Sequence, residues 1–178
     1  DTLGTNGVDD RTDTVDLLLR SEVARSRSSG MSPHVDDFGP GSVQWMTAAR
    51  GIVHEEMPQQ ENGMLWGYQL WINLPSAMKM DPPGYQDIEA EGIPEVQLDS
   101  GVRVRVIAGR FDDTVGPVAD RPTEPHYFDV QLPRGARFEW ATPVGHTVFV
   151  QGVSGRTQVG NEGRALAERE LVLLGTGE

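Results

Sequence analysis

Apolar and polar residues alternate along much of the chain in short runs. The segment 64–74, MLWGYQLWINL, places six apolar residues on one side and the polar Gln69 and Asn73, with Trp71, on the other. A period of two is the pattern of a β-strand with one buried face. The segment 101–109, GVRVRVIAG, alternates valine with arginine and predicts a strand whose valines point inward and whose arginines point outward.

Further runs of this kind follow at intervals of roughly 8–12 residues, a spacing typical of β-sandwiches and barrels. The run at 14–20 is compatible with a strand or a helical turn, and the proline-rich segment 75–94 is predicted to be a connection. A turn at 163–170, GRALAERE, is the one helix signal. The fold class predicted is therefore all-β. The other predicted strands are 42–48, 51–57, 126–132, 136–142, 146–155, 156–160 and 170–175.

Composition supports this class and narrows the function. The 21 glycines and 12 prolines imply many turns. Acidic residues outnumber basic ones 27 to 15, for a formal charge of -12, which argues against nucleic acid and anionic membranes as direct partners. No apolar run approaches the roughly 20 residues of a membrane span, and the first residues do not resemble a signal peptide. With no cysteine, the chain fits a reducing compartment, so we expect the cytoplasm, or the nucleus in a eukaryote.

Residues of ligand type crowd together in the segment 44–58, QWMTAARGIVHEEMP. On a strand, His54 and Glu56 point to one face and Glu55 points to the other. Imidazole with carboxylate suits Fe(II) or Mn(II). From the residues alone, a buried polar pair at a strand end is the alternative interpretation. The sequence contains no phosphate-binding loop and no His-Glu-x-x-His pattern.

Three segments, PGSVQWMTAARGIVHEEMP, LWGYQLWINLP and KMDPPGYQDI, resemble the N-terminal cupin domain of the pirin family and its linker. The segments GVRVRVIAG, YFDVQLPRGARFEW and HTVFVQGVSGRTQVG resemble the C-terminal cupin of that family. The resemblance spans about residues 14–175. It implies two tandem jelly-roll-like cupin barrels, with a shortened N-terminal domain at 1–75, a linker at 76–94 and a C-terminal domain at 95–178.

The resemblance also implies a metal centre in the N-terminal cupin. Pirins hold one metal, usually iron, through three histidines and one glutamate. The later pair of that set matches His54 and Glu56, whereas the early His-Pro-His motif falls on Gly7 to Asp9. Gly7 offers no ligand and Asp9 offers one carboxylate. The expected cofactor is Fe(II), another divalent metal, or none if the site is degenerate.

Two functions follow from the resemblance. The first is a quercetin 2,3-dioxygenase-type reaction on a flavonol-like aromatic substrate, with Trp45 and Gln69 lining the substrate pocket beside the His54 strand. The second is a regulatory module without catalysis, which binds a transcription regulator or a metabolic enzyme and whose metal is optional or lost. The substitution of both early histidines favours the second function.

Overall fold

A computed structural model describes residues 5–9, 12–18, 25–28, 36–59 and 66–175. These residues form strands and two short 3-10 helices, Ser76–Met78 and Ala90–Gly92. The all-β prediction is confirmed. The strands of the first half are β1 (Thr5–Asp9), β2 (Thr12–Leu18), β3 (Arg25–Ser28), β4 (Asp36–Phe38), β5 (Val43–Thr47), β6 (Ile52–Gln59), β7 (Gly67–Asn73) and β8 (Gly84–Ile88).

The second half continues with shorter strands, and the chain divides into two compact units, Asp1–Ala136 and Arg137–Glu178. Within the described ranges no helix is long and apolar enough to cross a membrane. The remaining strands are β9 (Glu95–Gln97), β10 (Arg103–Ala108), β11 (Arg110–Phe111), β12 (Thr114–Val115), β13 (Tyr127–Gln131), β14 (Phe149–Gln151), β15 (Arg156–Val159), β16 (Arg164–Ala167) and β17 (Leu171–Leu173).

Two antiparallel four-stranded sheets organise the first half, in the orders β1-β6-β3-β4 and β7-β2-β5-β8. The chain passes from the second sheet to the first at a corner between β5 and β6, where Gly51 donates to the carbonyl of Ala48 at 2.8 Å. Gly51 has a φ of 120°, which a side chain rarely permits. Met46 packs with Ile52 across this corner. One face of each sheet is therefore turned toward the other.

The opposite face of the second sheet packs into the main hydrophobic core. This core brings β5 and β8 together with β10 and with residues that precede and follow β10. Because both faces of β5 are covered, four of its five residues are buried. The core consists of Val43, Trp45, Ile88, Ile93, Ile107, Ala108 and Val118.

A three-stranded sheet, β13-β10-β9, contains the Val/Arg strand. Val104 and Val106 are buried as predicted, and Arg103 is exposed. The outward prediction for Arg105 is wrong. Its side chain is 15% exposed, lies 3.7 Å from the Asp129 carboxylate and donates to the Gly41 carbonyl at 2.7 Å. A carbonyl in the turn before β5 supplies the acceptor, which alternation within β10 cannot reveal.

Arg105→Met is expected to lower the free energy of unfolding by about 1.5–3 kcal/mol, the range for hydrogen bonds to charged groups. The matched control is Arg103→Met, two residues away, whose side chain is 48% exposed in its ion pair with Glu95. Exposed pairs contribute roughly 0–1 kcal/mol. Urea denaturation of both variants measures the difference, and equal losses would show that the Gly41 contact adds nothing.

The structure differs from the predicted elements in several segments. The uncertain run at 14–20 lies in strand β2, and the helical turn at 163–170 is replaced by strand β16. Segment 136–142 is not a strand; its burial alternates, but no strand of the described ranges pairs with it. The segment predicted as a linker contains β8, because Ile88 enters the core beside Val43. The boundaries 1–75, 76–94 and 95–178 stay a prediction.

Candidate metal centre

His54 lies in β6, on the face that the first sheet turns toward the second. Its side chain is 8% exposed. Ile52, two residues earlier on the same face, is 3% exposed and packs against Met46. The Nδ1 atom of His54 is buried and has no hydrogen-bond partner among the described residues. Because leaving a buried polar atom unsatisfied costs roughly 1–3 kcal/mol, this nitrogen is poised for a ligand or for water.

Strand β1 brings the segment of the early motif alongside His54. The antiparallel register pairs Gly7 with His54, Thr5 with Glu56 and Asp9 with Ile52. Directly opposed residues share a face, so Gly7 and Asp9 stand on the same face as His54 and Glu56. On the other side of β6, Ser28 is the register partner of Glu56.

The candidate ligand residues supply part of the donor set that a divalent metal needs. His54 supplies a buried nitrogen, and Glu56 and Asp9 have the right strand parity to add carboxylate oxygens. Gly7 stands directly opposite His54 and has no donor atom to add. Among the side chains that the structure describes, which do not include those of Glu56 and Asp9, no three His, Asp or Glu groups converge on a metal position. The metal site, including His54 as a ligand, is therefore a prediction, and what the structure shows is a buried imidazole nitrogen without a partner among the described residues.

The wall opposite His54 is the face of the second sheet that carries Met46. One row of register partners crosses this face from β7 to β8: Gln69, Asp16, Gln44 and Asp87. Gln44 is 3% exposed and donates to the Asp87 carboxylate at 2.9 Å. Gln69 accepts a hydrogen bond of 2.9 Å from the indole of Trp71. This wall thus offers amide, carboxylate and aromatic groups.

The two predicted pocket residues lie on opposite faces of this sheet. Gln69 belongs to the wall that faces the His54 strand, through its register with Asp16 and Gln44. Trp45 has the other parity, is fully buried and packs with Ile107 and Val118 in the core. The assignment of Trp45 and Gln69 to one substrate pocket beside the His54 strand stays a prediction.

Gln44, Asp87 and Trp71 are residues of this wall that the sequence analysis did not select. Their parity with Met46 was available from the alternation of β5. The alternation alone could not identify the face on the side of β6, because apolar residues occupy both faces of β5. The sequence also placed Asp87 in a connection, which concealed its pairing with Gln44.

Comparison with known proteins agrees with the fold. The sequence profile of the Pirin family matches residues 9–72. A Pseudomonas aeruginosa protein, named as a candidate quercetin 2,3-dioxygenase, is 48% identical over 143 residues, which cover 75% of this chain and 50% of that protein. The crystal structure of a quercetin 2,3-dioxygenase from Acinetobacter baumannii superposes with a TM-score of 0.86 at 31% identity, covering 98% of this chain and 61% of that one.

A more distant likeness shows the fold alone. The structure of a bacterial pirin from Escherichia coli in complex with nickel(II) superposes with a TM-score of 0.55 at 13% identity, covering 98% of this chain and 67% of that one. The chain spans about half the length of the curated relatives it matches.

Fold and site together define a cupin-type β-protein, as predicted. Its N-terminal half carries a buried histidine, His54, on strand β6 of the first sheet. With the matching profile and relatives, the chain belongs to the pirin family.

Proposed function

We propose that the N-terminal cupin of this chain binds one divalent metal ion, iron in the cell, through His54, Glu56 and Asp9. The observation that supports this most is the buried Nδ1 of His54, which has no partner among the described residues. Glu56 follows His54 by two residues on β6, and Asp9 is the register partner of Ile52, two residues before His54. A bound metal would supply a Lewis acid that polarises a substrate oxygen.

The reaction we propose is a quercetin 2,3-dioxygenase-type oxidation of a flavonol-like aromatic. The facing wall supports a ligand of this kind. Trp71 is 57% exposed and is held by Gln69, so its indole offers a surface on which a planar ring can stack. Asp87, oriented by the buried Gln44, carries carboxylate oxygens that accept hydrogen bonds from ligand hydroxyl groups.

A second candidate function is a regulatory module that binds a transcription regulator or a metabolic enzyme in the cytoplasm without catalysis. One observation favours it: Gly7 takes the position opposite His54, where a second imidazole would complete the metal set. A weakly held metal would then serve structure or regulation.

Measuring the metal content of the purified protein tests whether the chain binds a metal at all. We expect chain purified without chelator and loaded with Fe(II) to hold about one metal ion, and His54→Ala to weaken binding at least as much as the loss of an outer-shell partner, roughly 10- to 100-fold. Val53→Ala, on the adjacent outward position that is 69% exposed, is the matched control and should bind as the wild type does. Equal, near-zero iron in all three proteins would eliminate the metal proposal.

Oxygen consumption then distinguishes catalysis from binding. With quercetin and iron-loaded protein, a rate above that of the same concentration of free iron supports the dioxygenase. A rate equal to that of free iron, with metal bound, leaves the regulatory module.

A further inference from the structure

Four buried side-chain atoms behind the second sheet have no hydrogen-bond partner among the described residues. They are Trp45 Nε1, Thr47 Oγ1, Arg121 Nε and Thr123 Oγ1. Native proteins satisfy nearly all buried polar atoms, with protein groups, ordered water or a ligand. These four atoms lie in two segments of the fold, 45–47 and 121–123, and each needs a partner that the described residues do not supply.

The contacts place these two segments side by side. Trp45 and Thr47 share one face of β5, and the register partner of Trp45 on β8 is Gln86. Arg121 donates to Gln86 Oε1 at 3.0 Å. Gln86 in turn donates to the Pro117 carbonyl at 3.2 Å, at the start of the segment that contains Arg121.

Three further observations concern residues at this junction. Thr123 lies in a turn closed by the hydrogen bond from Glu124 N–H to the Arg121 carbonyl at 2.9 Å. Gly84 is the register partner of Thr47 and presents no side chain to it. Val118 packs in the same core cluster as Trp45. Each of the four atoms is thus tied to the junction of β5, β8 and the segment 117–124.

The donor chemistry identifies the ligand. Indole Nε1 and guanidinium Nε can only donate, and the threonine hydroxyls can donate as well. Arg121 forms no ion pair with the described residues, so its positive charge lacks a counter-charge there. The Nε edge of a guanidinium matches the two oxygens of a carboxylate. The chain has a net charge of -12, whereas this cluster combines a cationic guanidinium with further hydrogen-bond donors.

We propose that Trp45, Thr47, Arg121 and Thr123 bind a small carboxylate anion at this junction. The site lies on the face of the second sheet away from His54, because Trp45 has the opposite parity to Gln44 and Met46. It is therefore separate from the candidate metal centre, and metal-free protein retains it.

Sodium formate and sodium acetate are suitable probes, titrated into chelator-treated protein at constant ionic strength balanced with sodium chloride. We expect a saturable rise in Tm, since a ligand that binds only the folded state stabilises it by mass action. Tryptophan fluorescence should change over the same concentration range, because the indole N–H of Trp45 would contact the anion. The absence of a saturable shift, as expected if only water fills the site, would overturn the proposal.

Variants locate the effect. Arg121→Gln removes the charge and should abolish the saturable shift, while Thr123→Val keeps the shape of the side chain and should raise the apparent Kd several-fold. Arg110→Gln, at an exposed cation, is the matched control and should respond as the wild type does. If Arg121→Gln does not fold, the apparent Kd of Thr123→Val tests the assignment. A wild-type response in every variant that folds would contradict this assignment.

Discussion

Gly7→His is expected to raise the affinity of the protein for divalent metal by roughly 10-fold or more, since even outer-shell partners change metal affinity roughly 10- to 100-fold. Gly7 is the register partner of His54 in the β1–β6 pair. The Cβ atoms of directly opposed residues lie about 4.5–5.5 Å apart on one face, so two imidazoles there can reach one ion. The variant adds the donor that the chain lacks at this position.

Asn6→His is the matched control for this experiment. Asn6 lies on the same strand, but its register partner is Glu55 and not His54. Competition with a chromogenic chelator, using Ni(II) to avoid oxidation, gives the Kd of the wild type and of both variants. An affinity gain of similar size in both variants would mean that the added imidazole does not act together with His54.

Ile107→Ala is expected to lower the free energy of unfolding by about 2–5 kcal/mol, the cost of removing a large aliphatic side chain from a packed core. Ile107 is fully buried in the cluster that joins β10 to β5 and β8. Strand β5 is paired on both sides, with β2 and β8, so it can move to close the cavity only in part.

Val115→Ala provides the comparison, because Val115 is 43% exposed and surface substitutions usually change stability by less than about 0.5 kcal/mol. Urea denaturation followed by tryptophan fluorescence measures both variants. A loss in Ile107→Ala no larger than that in Val115→Ala would indicate that the cluster is loosely packed.

Much of the strand content was predictable from the sequence because a period of two is a local property. Strand β7 follows its alternation along its whole length, whereas β10 alternates at its start and is buried at three consecutive residues from Val106 onward. The failures involve partners distant in sequence. Arg105 lies on the face opposite the valines, but its side chain is covered there by the turn that contains Gly41, 64 residues away in the chain. Segment 136–142 alternates without a strand to pair with among the described residues.

The candidate metal centre was predictable only in part, for the same reason. Parity within β6 grouped His54 with Glu56, and the family resemblance placed Gly7 and Asp9 at the early motif. The β1–β6 register, which puts Gly7 opposite His54, depends on pairing between segments about 47 residues apart. Nor could alternation say that Trp45 and Gln69 occupy opposite faces of one sheet, because β5 is covered on both sides.

Both faces of β5 are covered, so a single strand separates the residues packed on one face from those packed on the other. Its odd-numbered positions, Val43 and Trp45, contact the core and the proposed carboxylate site. Its even-numbered positions, Gln44 and Met46, lie on the other face, where Met46 packs against Ile52 at the start of the His54 strand. We therefore expect substitutions along this strand to alternate in their effects. Those at odd-numbered positions should change stability and the response to anions, and those at even-numbered positions should change the surroundings of the candidate metal centre.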